Sequence, residues 1–415
     1  MATPKLRFKE FDQKWGVDAL QDQIDFLAGY AFDSKLMSNE PQKYQLIKMS
    51  NVYQNQLDLT RNPSYWTNID SKIEKFLLKK GDIVLTLTGT VGKTDYGYNV
   101  EIDKDDKFLL NQRLVRLRAK QDLSDSKFIQ YRISTDKFFY HFFYSSKGGT
   151  GNQSNVSIED LKLLELSFPS KEEQTKIASF LSAVDEKISQ LTQKHELLSQ
   201  YKQGMMQKLF SQEIRFKADD GSEFGEWEER KLSEISQKAM YGMNAAATEY
   251  DGINKYLRIT DICEFSNSFK KDNLTSPNAE LFDRYKLQLG DLLFARTGAS
   301  VGKSYLYRED DGITYFAGFL IRFSLNTNLV IPYFIFLQTL IKEFCQWVVT
   351  NSMRSGQPGI NAEEYSSYIF KVPCLEEQTK IANFLSSIDQ KIEVVAQQIE
   401  QAKTWKKGLL QQMFV

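Results

Sequence analysis

Apolar residues recur at alternating spacings of four and three residues along two long stretches of this chain. The members are Ile177, Leu181, Val184, Ile188 and Leu191 in the first stretch and Ile381, Leu385, Ile388, Ile392 and Val395 in the second. A spacing near 3.5 residues indicates the buried seam of a left-handed coiled coil. Each stretch predicts a helix of about 40 residues, or ~60 Å at 1.5 Å per residue. We expect the two helices to pair antiparallel within one chain. A coil between two chains and ordinary core helices are the alternatives.

The two helical stretches are copies of one sequence. Residues 172–178 read Glu-Glu-Gln-Thr-Lys-Ile-Ala, and residues 376–382 repeat them letter for letter. The repeat period is about half the chain, which indicates a duplicated domain rather than a solenoid. We therefore expect pseudo-twofold symmetry and a partner that offers two similar faces.

The helix starts and two internal glycines add detail. Ser170 and Glu173 predict a capping box at the first start, whereas Cys374 stands at the matching place in the second helix. Gly204 and Gly408 fall at equivalent places inside the helices, where each costs ~1 kcal/mol relative to alanine. Local fraying and the close approach of another backbone, such as a partner subunit, both explain these glycines.

The sequence outside the helices repeats at a few anchors. Gly81-Asp82 and Gly290-Asp291 each precede an apolar run, and both aspartates are predicted turn residues rather than catalytic carboxylates. A Thr-Gly loop ending in Gly-Lys follows each run, at 88–94 and 297–304. The intervening sequence diverges between the halves, so one framework carries two different sets of loops.

Short β-branched runs, such as 83–87 and 114–117, alternate with turns and with one aromatic helix per half, at about 125–144 and 332–350. The predicted fold class is α/β, with two mixed α/β domains separated by the two long helices. We divide the chain into a first domain (1–169), a first helix (170–211), a second domain (212–373) and a second helix (374–415).

Composition narrows the function classes. The net charge is −1, so nucleic-acid binding would need local basic patches rather than a global field. The three cysteines are scattered without a CxxC, which argues against disulfides and a zinc site. The longest apolar run, 330–341, is too short to span a bilayer, and residues 1–5 lack the apolar core of a signal peptide. We expect a soluble cytoplasmic protein.

Catalytic signatures are absent from the sequence. Gly92-Lys93-Thr94 and Gly302-Lys303-Ser304 resemble the end of a P-loop, but Leu87 and Thr297 occupy the positions that need its first glycine. With only two histidines, there is little scope for histidine catalysis or metal binding. We predict no catalytic residue and no metal site in this chain.

The remaining candidate chemistry lies in polar loops. Backbone N–H groups of Gly-rich turns beside a lysine suit phosphate oxygens, and Arg, Asn and Gln suit base edges in the major groove. The predicted DNA contacts are Lys48, Lys93, Lys147, Asn152, Gln153, Arg258, Arg296, Lys303, Arg354 and Gln357. For each of them the alternative is a solvated loop side chain.

Taken together, these features resemble the specificity subunits of type I restriction–modification systems. The resemblance is carried by the Glu-Glu-Gln-Thr-Lys-Ile-Ala-x-Phe-Leu segments after Pro169 and Pro373, the Gly-Asp strands, the Thr-Gly…Gly-Lys loops and the polar Gly loops. It covers nearly the whole chain. It implies two target-recognition domains that each read one part of a split double-stranded DNA sequence. It also implies that the paired helices act as a ruler and as the docking site for two modification subunits.

The resemblance assigns all catalysis to partner subunits. Modification subunits would bind S-adenosylmethionine and methylate adenine N6, and two restriction subunits would add ATP- and Mg-dependent translocation and cleavage. This chain would hold no cofactor and contact no membrane. Two other classes stay open at this point: a coiled-coil scaffold that binds only proteins, and a nucleotide-binding enzyme that uses Lys93 or Lys303.

Overall fold

A computed structural model describes residues 3–91, 93–144, 147–148, 153–264, 266–353 and 356–414. The chain forms two compact units. Unit 1 comprises Met1–Gln193 and Ala396–Val415, and unit 2 comprises Lys194–Val395. Each unit thus contains the globular part of one half, the start of one long helix and the end of the other. The four-part division made from the sequence stays a prediction.

Unit 1 is built from short strands and helices. Its strands are β1 (Gly16–Ala19), β2 (Ile24–Ala28), β3 (Tyr44–Ile47), β4 (Val52–Tyr53), β5 (Gln56–Leu57), β6 (Tyr65–Trp66), β7 (Ile83–Thr86), β8 (Thr88–Thr90), β9 (Asn99–Glu101), β10 (Phe108–Leu110), β11 (Leu114–Ala119), β12 (Lys147–Gly148), β13 (Gln153–Asn155) and β14 (Glu165–Phe168). Its short helices are α1 (Leu20–Gln23), α2 (Ser71–Glu74), α3 (Ser126–Arg132), α4 (Asp136–Tyr144) and α5 (Ile158–Lys162).

A four-stranded antiparallel sheet in the order β2-β11-β7-β9 lies at the centre of unit 1. Side chains of successive residues in a strand point to opposite faces, so β11 serves two cores. Val115 and Leu117 pack in a cluster with the start of the first long helix, whereas Leu114 packs in a second cluster on the other face. Smaller pairings, β1-β14, β10-β3-β6, β12-β13-β8 and β4-β5, surround this sheet.

Unit 2 repeats this plan. Its strands are β15 (Glu228–Lys231), β16 (Met240–Tyr241), β17 (Ala246–Glu249), β18 (Lys255–Leu257), β19 (Thr275–Asn278), β20 (Asp291–Ala295), β21 (Ser304–Leu306), β22 (Thr314–Phe316), β23 (Leu320–Ser324) and β24 (Ile369–Val372). Its short helices are α7 (Leu232–Ile235), α8 (Pro332–Gln338), α9 (Lys342–Ser352) and α10 (Ala362–Ser366). The central sheet has the order β16-β23-β20-β21. The predicted α/β class and internal repeat are confirmed.

Two long helices run through both units, α6 (Lys171–Phe210) and α11 (Leu375–Met413). In unit 1 the start of α6 packs with the end of α11, and the Phe180 and Trp405 rings meet edge to face at 6.0 Å. In unit 2 the end of α6 packs with the start of α11, since Leu209 and Leu385 share one core. Start against end is the antiparallel pairing within one chain that we expect from the sequence.

Eight of the ten predicted seam residues belong to these two cores, and Leu191 and Val395 do not. Those buried are Ile177, Leu181, Val184, Leu191, Ile381, Leu385, Ile388 and Val395, while Ile188 and Ile392 are half-buried. No helix among the described residues is long and apolar enough to cross a membrane.

Two local predictions are wrong. The capping box at Ser170 is only half formed, because the Glu173 N–H donates to the Ser170 hydroxyl at 3.4 Å while the Glu173 carboxylate binds Arg7 instead. The single aromatic helix of each half is two helices, α3 and α4 in unit 1 and α8 and α9 in unit 2. In unit 1 the Thr135 hydroxyl ends one helix and begins the next, since it donates to the Arg132 carbonyl and accepts from the Phe138 N–H.

Candidate nucleic-acid interface

The Gly-Asp turns are structural, as the sequence predicts. Asp82 is buried and accepts two hydrogen bonds from Arg118, at 2.6 and 2.8 Å. Asp291 is equally buried and accepts from the Ser324 hydroxyl at 2.5 Å, and burial raises the pKa of its carboxyl. Both carboxylates also accept the backbone N–H three residues before them. The carboxylates therefore fix the start of the central strand and are not exposed to a substrate.

In unit 1 the Thr-Gly loop joins the polar Gly loop. Strand β8 pairs antiparallel with β13, with Thr88 opposite Asn155. The Val156 N–H donates to the Leu87 carbonyl at 3.0 Å just beside this pairing. Two loops that lie far apart in the sequence thus form one surface.

Lys93 is exposed beside this surface. Beside it, Thr90 donates two hydrogen bonds to Asp95 at 2.8 and 2.7 Å. Burial opposes ionisation of Asp95, but these hydrogen bonds outweigh it and lower the pKa of the carboxyl. A Cβ on Gly89 would lie 2.2 Å from the Tyr96 ring, so only glycine fits there. Lys93 is exposed beside this loop, and its contact with a phosphate stays a prediction.

Unit 2 forms the same junction. Thr297 pairs with Gly359, and the Gly298 N–H donates to the Pro358 carbonyl at 3.0 Å. Tyr365 connects the loop to the end of β20, because its hydroxyl accepts from the Gly302 N–H at 3.0 Å and donates to the Ala295 carbonyl at 2.8 Å. Burial raises the pKa of Tyr365, so this hydroxyl stays a donor.

Lys303, the counterpart of Lys93, is held differently. Its side chain is 15% exposed, and its amino group lies 3.4 Å from the Ile262 carbonyl and 3.9 Å from Glu264. A phosphate would have to compete with these internal partners. The two Gly-Lys loops begin at the same strand junction, but the first continues as strand β8 whereas residues 298–300 of the second form a 3-10 turn, and the two lysines are presented differently.

Lys48 and Arg258 also have internal partners. Lys48 donates to the Ser64 hydroxyl at 2.8 Å, and burial lowers its pKa. Arg258 donates to Asp261 through Nε and Nη2, both at 2.8 Å, and this hydrogen bonding raises its pKa. Asp261 already accepts from the two N–H groups of Arg258 that would bind a guanine. Base readout by Arg258 would therefore require this ion pair to break.

The remaining candidates differ in what the structure shows. Asn152 and Arg354, and the side chains of Lys147 and Gln153, lie outside the described residues. Gln357 is exposed, and its Nε2 would lie 3.1 Å from a Cβ on Gly298. Arg296 is half-buried beside the same junction, with its guanidinium 5.0 Å from the centre of the Tyr241 ring.

A buried ion pair was not foreseen from the sequence. Arg7 donates to Glu173 through Nε and Nη2, both at 2.7 Å, and Trp15 donates to the same carboxylate at 3.3 Å. Unit 2 repeats it, with Arg215 donating to Glu377 at 3.0 and 2.7 Å. The available signal was that these arginines and tryptophans recur at corresponding places in the two halves.

A second contact joins each domain to both long helices. In unit 1 the Tyr131 hydroxyl donates to Asp185 at 2.7 Å, and Lys406 from the other helix lies 2.5 Å from that carboxylate. In unit 2 the Tyr333 hydroxyl donates to Asp389, which Lys202 approaches to 2.6 Å. Asp185 and Asp389, which occupy matching positions in the two long helices, thus connect each domain to both helices.

The comparison with known proteins decides the family. The family described as type I restriction modification DNA specificity domain matches residues 12–200 and again residues 225–404. The chain belongs to this family. The two matches correspond to the two halves, so the internal repeat is a repeat of the specificity domain.

Individual specificity subunits agree with this assignment. The MjaVIII specificity subunit of Methanocaldococcus jannaschii is 26% identical, over 81% of this chain and 79% of that protein. The putative MjaX specificity subunit of the same organism is also 26% identical, over 98% and 94%. The crystal structure of the S subunit of a type I restriction–modification system from M. genitalium has the same fold, with a TM-score of 0.61, 20% identity and coverage of 100% and 99%.

Proposed function

We propose that this specificity subunit reads a bipartite, asymmetric double-stranded DNA target, one part with each unit. The observation that carries the proposal is the junction of the Thr-Gly loop with the polar Gly loop, which occurs once in each unit on the same sheet framework. Equal frameworks give each unit the same way of approaching DNA. Unequal side chains on them give each unit a different sequence to select.

The partners follow from the family. Relatives are named as specificity subunits of type I restriction enzymes, so we assign methylation and cleavage to other subunits. Two modification subunits would bring S-adenosylmethionine, and two restriction subunits would bring ATP and Mg. The described residues contain no cluster of His, Cys, Asp and Glu that could hold a metal ion. A duplicated chain suits two copies of each partner.

The test compares the chain alone with the chain plus its modification subunit. Because the net charge is −1, we expect the isolated chain to bind DNA weakly and to transfer no methyl group. The assembled complex should bind one split sequence tightly, with strong salt dependence, and methylate adenine within it. Methyl transfer by the purified chain alone would contradict the proposal.

The same experiment separates the other two classes. A scaffold that binds only proteins would assemble with the partner without adding DNA sequence preference. A nucleotide-binding enzyme would lose activity in Lys93→Ala or Lys303→Ala even without DNA.

A further inference from the structure

We propose that Arg296 reads a guanine in the part of the DNA target that unit 2 recognises. This inference rests on the proposed function and names one of its specificity-determining residues. It concerns a single side chain at the junction of the Thr-Gly loop and the polar Gly loop.

The backbone around Arg296 is fixed on both sides. The Arg296 N–H donates to the Phe319 carbonyl at 3.1 Å, and its carbonyl accepts from the Ile360 N–H at 2.9 Å. It directly follows β20, whose five residues are all buried. The Cα position of Arg296 is therefore set by the sheet, as precise base readout requires.

The Arg296 side chain lies over the Tyr241 ring, but its Nε makes no hydrogen bond within the described residues. The Arg296 guanidinium lies 5.0 Å from the centre of the Tyr241 ring. Its Nε is buried and has no hydrogen-bond partner among the described residues. A buried donor without a partner costs free energy, and an arginine can stack on a ring while its N–H groups donate to acceptors in the guanidinium plane. Once the half-buried side chain moves outward, a planar ligand with two adjacent acceptors would give the Nε–H the partner that it lacks.

The equivalent position of unit 1 shows that the fold does not need an arginine here. Leu87 precedes the Thr-Gly pair there and is buried in the core. Its backbone makes the same two contacts, since the Leu87 N–H donates to the Arg113 carbonyl at 3.2 Å and its carbonyl accepts from the Val156 N–H at 3.0 Å. Because the backbone contacts are the same in both units, the two positions differ only in the side chain that they carry, leucine in unit 1 and arginine in unit 2.

The partner position changes as well. Arg113 is exposed in unit 1, and its counterpart in unit 2 is Phe319, which is 58% exposed. At the same backbone pairing, unit 1 has the apolar Leu87 opposite the charged Arg113, whereas unit 2 has the charged Arg296 opposite the apolar Phe319. This pattern is expected when each unit selects different bases.

Guanine is the base that fits. Its O6 and N7 accept side by side in the major groove, and arginine binds them bidentately. A phosphate offers the same pair of acceptors, but phosphate contacts carry no sequence information and would be equally useful in both units. The leucine at position 87 therefore favours base readout.

The experiment maps methylation and duplex binding by the full chain assembled with its modification subunit. Arg296→Leu installs the residue of unit 1, and Arg296→Lys keeps the charge without the fork. We expect both variants to lose preference for guanine at one position of one half-site. The loss of discrimination should be about 5- to 160-fold, the range of a bidentate contact, with the other half-site unchanged.

Arg284→Leu is the matched control, because the Arg284 guanidinium also lies over a ring, 4.8 Å from the centre of Tyr285, but Arg284 is exposed and belongs to the turn 283–285 rather than to the loop junction. It should leave the target unchanged. Uniform weakening by Arg296→Leu with a smaller salt dependence, rescued in Arg296→Lys, would identify a phosphate contact and overturn the inference. An unchanged target in both variants would also overturn it. If the wild-type complex methylates no split target, the proposed function itself fails.

Discussion

At the residue scale, the two glutamates of the repeated helix segment act through charge. Glu173 is fully buried and faces Arg7 and Trp15, and Glu377 has the same surroundings in unit 2. A buried carboxylate is tolerated because its charge is paired and hydrogen-bonded. Each pair holds the segment before the first strand of its unit against a long helix.

Glu173→Gln should therefore destabilise unit 1. It leaves the Arg7 charge without its partner, and breaking a buried pair costs about 3 kcal/mol. For a unit of this size the calorimetric transition should fall by about 6–12 °C. Glu377→Gln should lower the transition of unit 2 instead, and Glu186→Gln, at an exposed place on α6, should lower neither. Equal effects of Glu173→Gln and Glu186→Gln would refute the role of the pair.

A second residue-scale prediction concerns alkaline pH. Burial, with Glu343 nearby, raises the pKa of Tyr368 to about 12, whereas the unfolded value is about 10. Between these values the unfolded chain has lost the proton and the folded chain keeps it, so stability declines as pH rises. Tyr368→Phe should make the urea midpoint decline less steeply from about pH 10 to 12. Identical slopes would show that Tyr368 titrates normally.

The sequence predicts the role of a residue only where that role does not depend on which side chains the residue contacts in the fold. Glu173 recurs as Glu377 and Arg7 recurs as Arg215, but the repeat alone does not show that the glutamate and the arginine pair across the fold. Arg258 and Lys303 have the right chemistry for DNA, yet their local partners Asp261 and Glu264 are chosen by side-chain geometry. Spacing along the chain contains no such information.

At the element scale, the long helices were predictable and the short ones less so. Heptad spacing persists over many turns in α6 and α11, so the signal accumulates. The aromatic stretch of each half was predicted as one helix and is two. In unit 1 the Thr135 hydroxyl bonds the backbone at the break, and in unit 2 the Thr339 hydroxyl donates to the Phe336 carbonyl there. A local side-chain bond of this kind competes with the helix.

The helix glycines give the element-scale prediction. A Cβ on Gly204 or Gly408 would meet nothing within 4 Å in the described chain. Gly204→Ala and Gly408→Ala should each stabilise the isolated chain by about 1 kcal/mol. By contrast, Gly302→Ala should destabilise, since its φ is +85° and its Cβ would lie 2.4 Å from Val348.

The same variants test the two readings of these glycines. If another backbone approaches them in the assembly, the alanine variants should bind the modification subunit more weakly although they are more stable. Unchanged binding would leave local fraying as their explanation.

At the scale of the whole molecule, each unit borrows the helix end that completes its core. Leu409, Met413 and Phe414 belong to the core of unit 1, and Leu209 and Phe210 have the corresponding role in unit 2. A chain truncated after Phe210 lacks Leu409, Met413 and Phe414. It retains Leu209 and Phe210. The retained residues resemble the missing ones in size and position.

Two such truncated chains should therefore pair, each completing the other's core. A closed pair of identical chains is twofold symmetric. With the modification subunit, its DNA target should become an interrupted palindrome of the half-site read by unit 1. Light scattering would establish the dimer, and methylation mapping the target. An unchanged asymmetric target would show that the two units do not read DNA independently.

The discontinuous composition of unit 1 also sets an order of biosynthesis. Residues 194–395 form a continuous unit, whereas residues 1–193 wait for residues 396–415. At about 5–20 residues per second, the intervening ~200 residues take about 10–40 s to translate. The half made first would thus be finished last. During that interval the apolar seam of the emerging first helix stays uncovered at the ribosome, which makes it a natural substrate for chaperones.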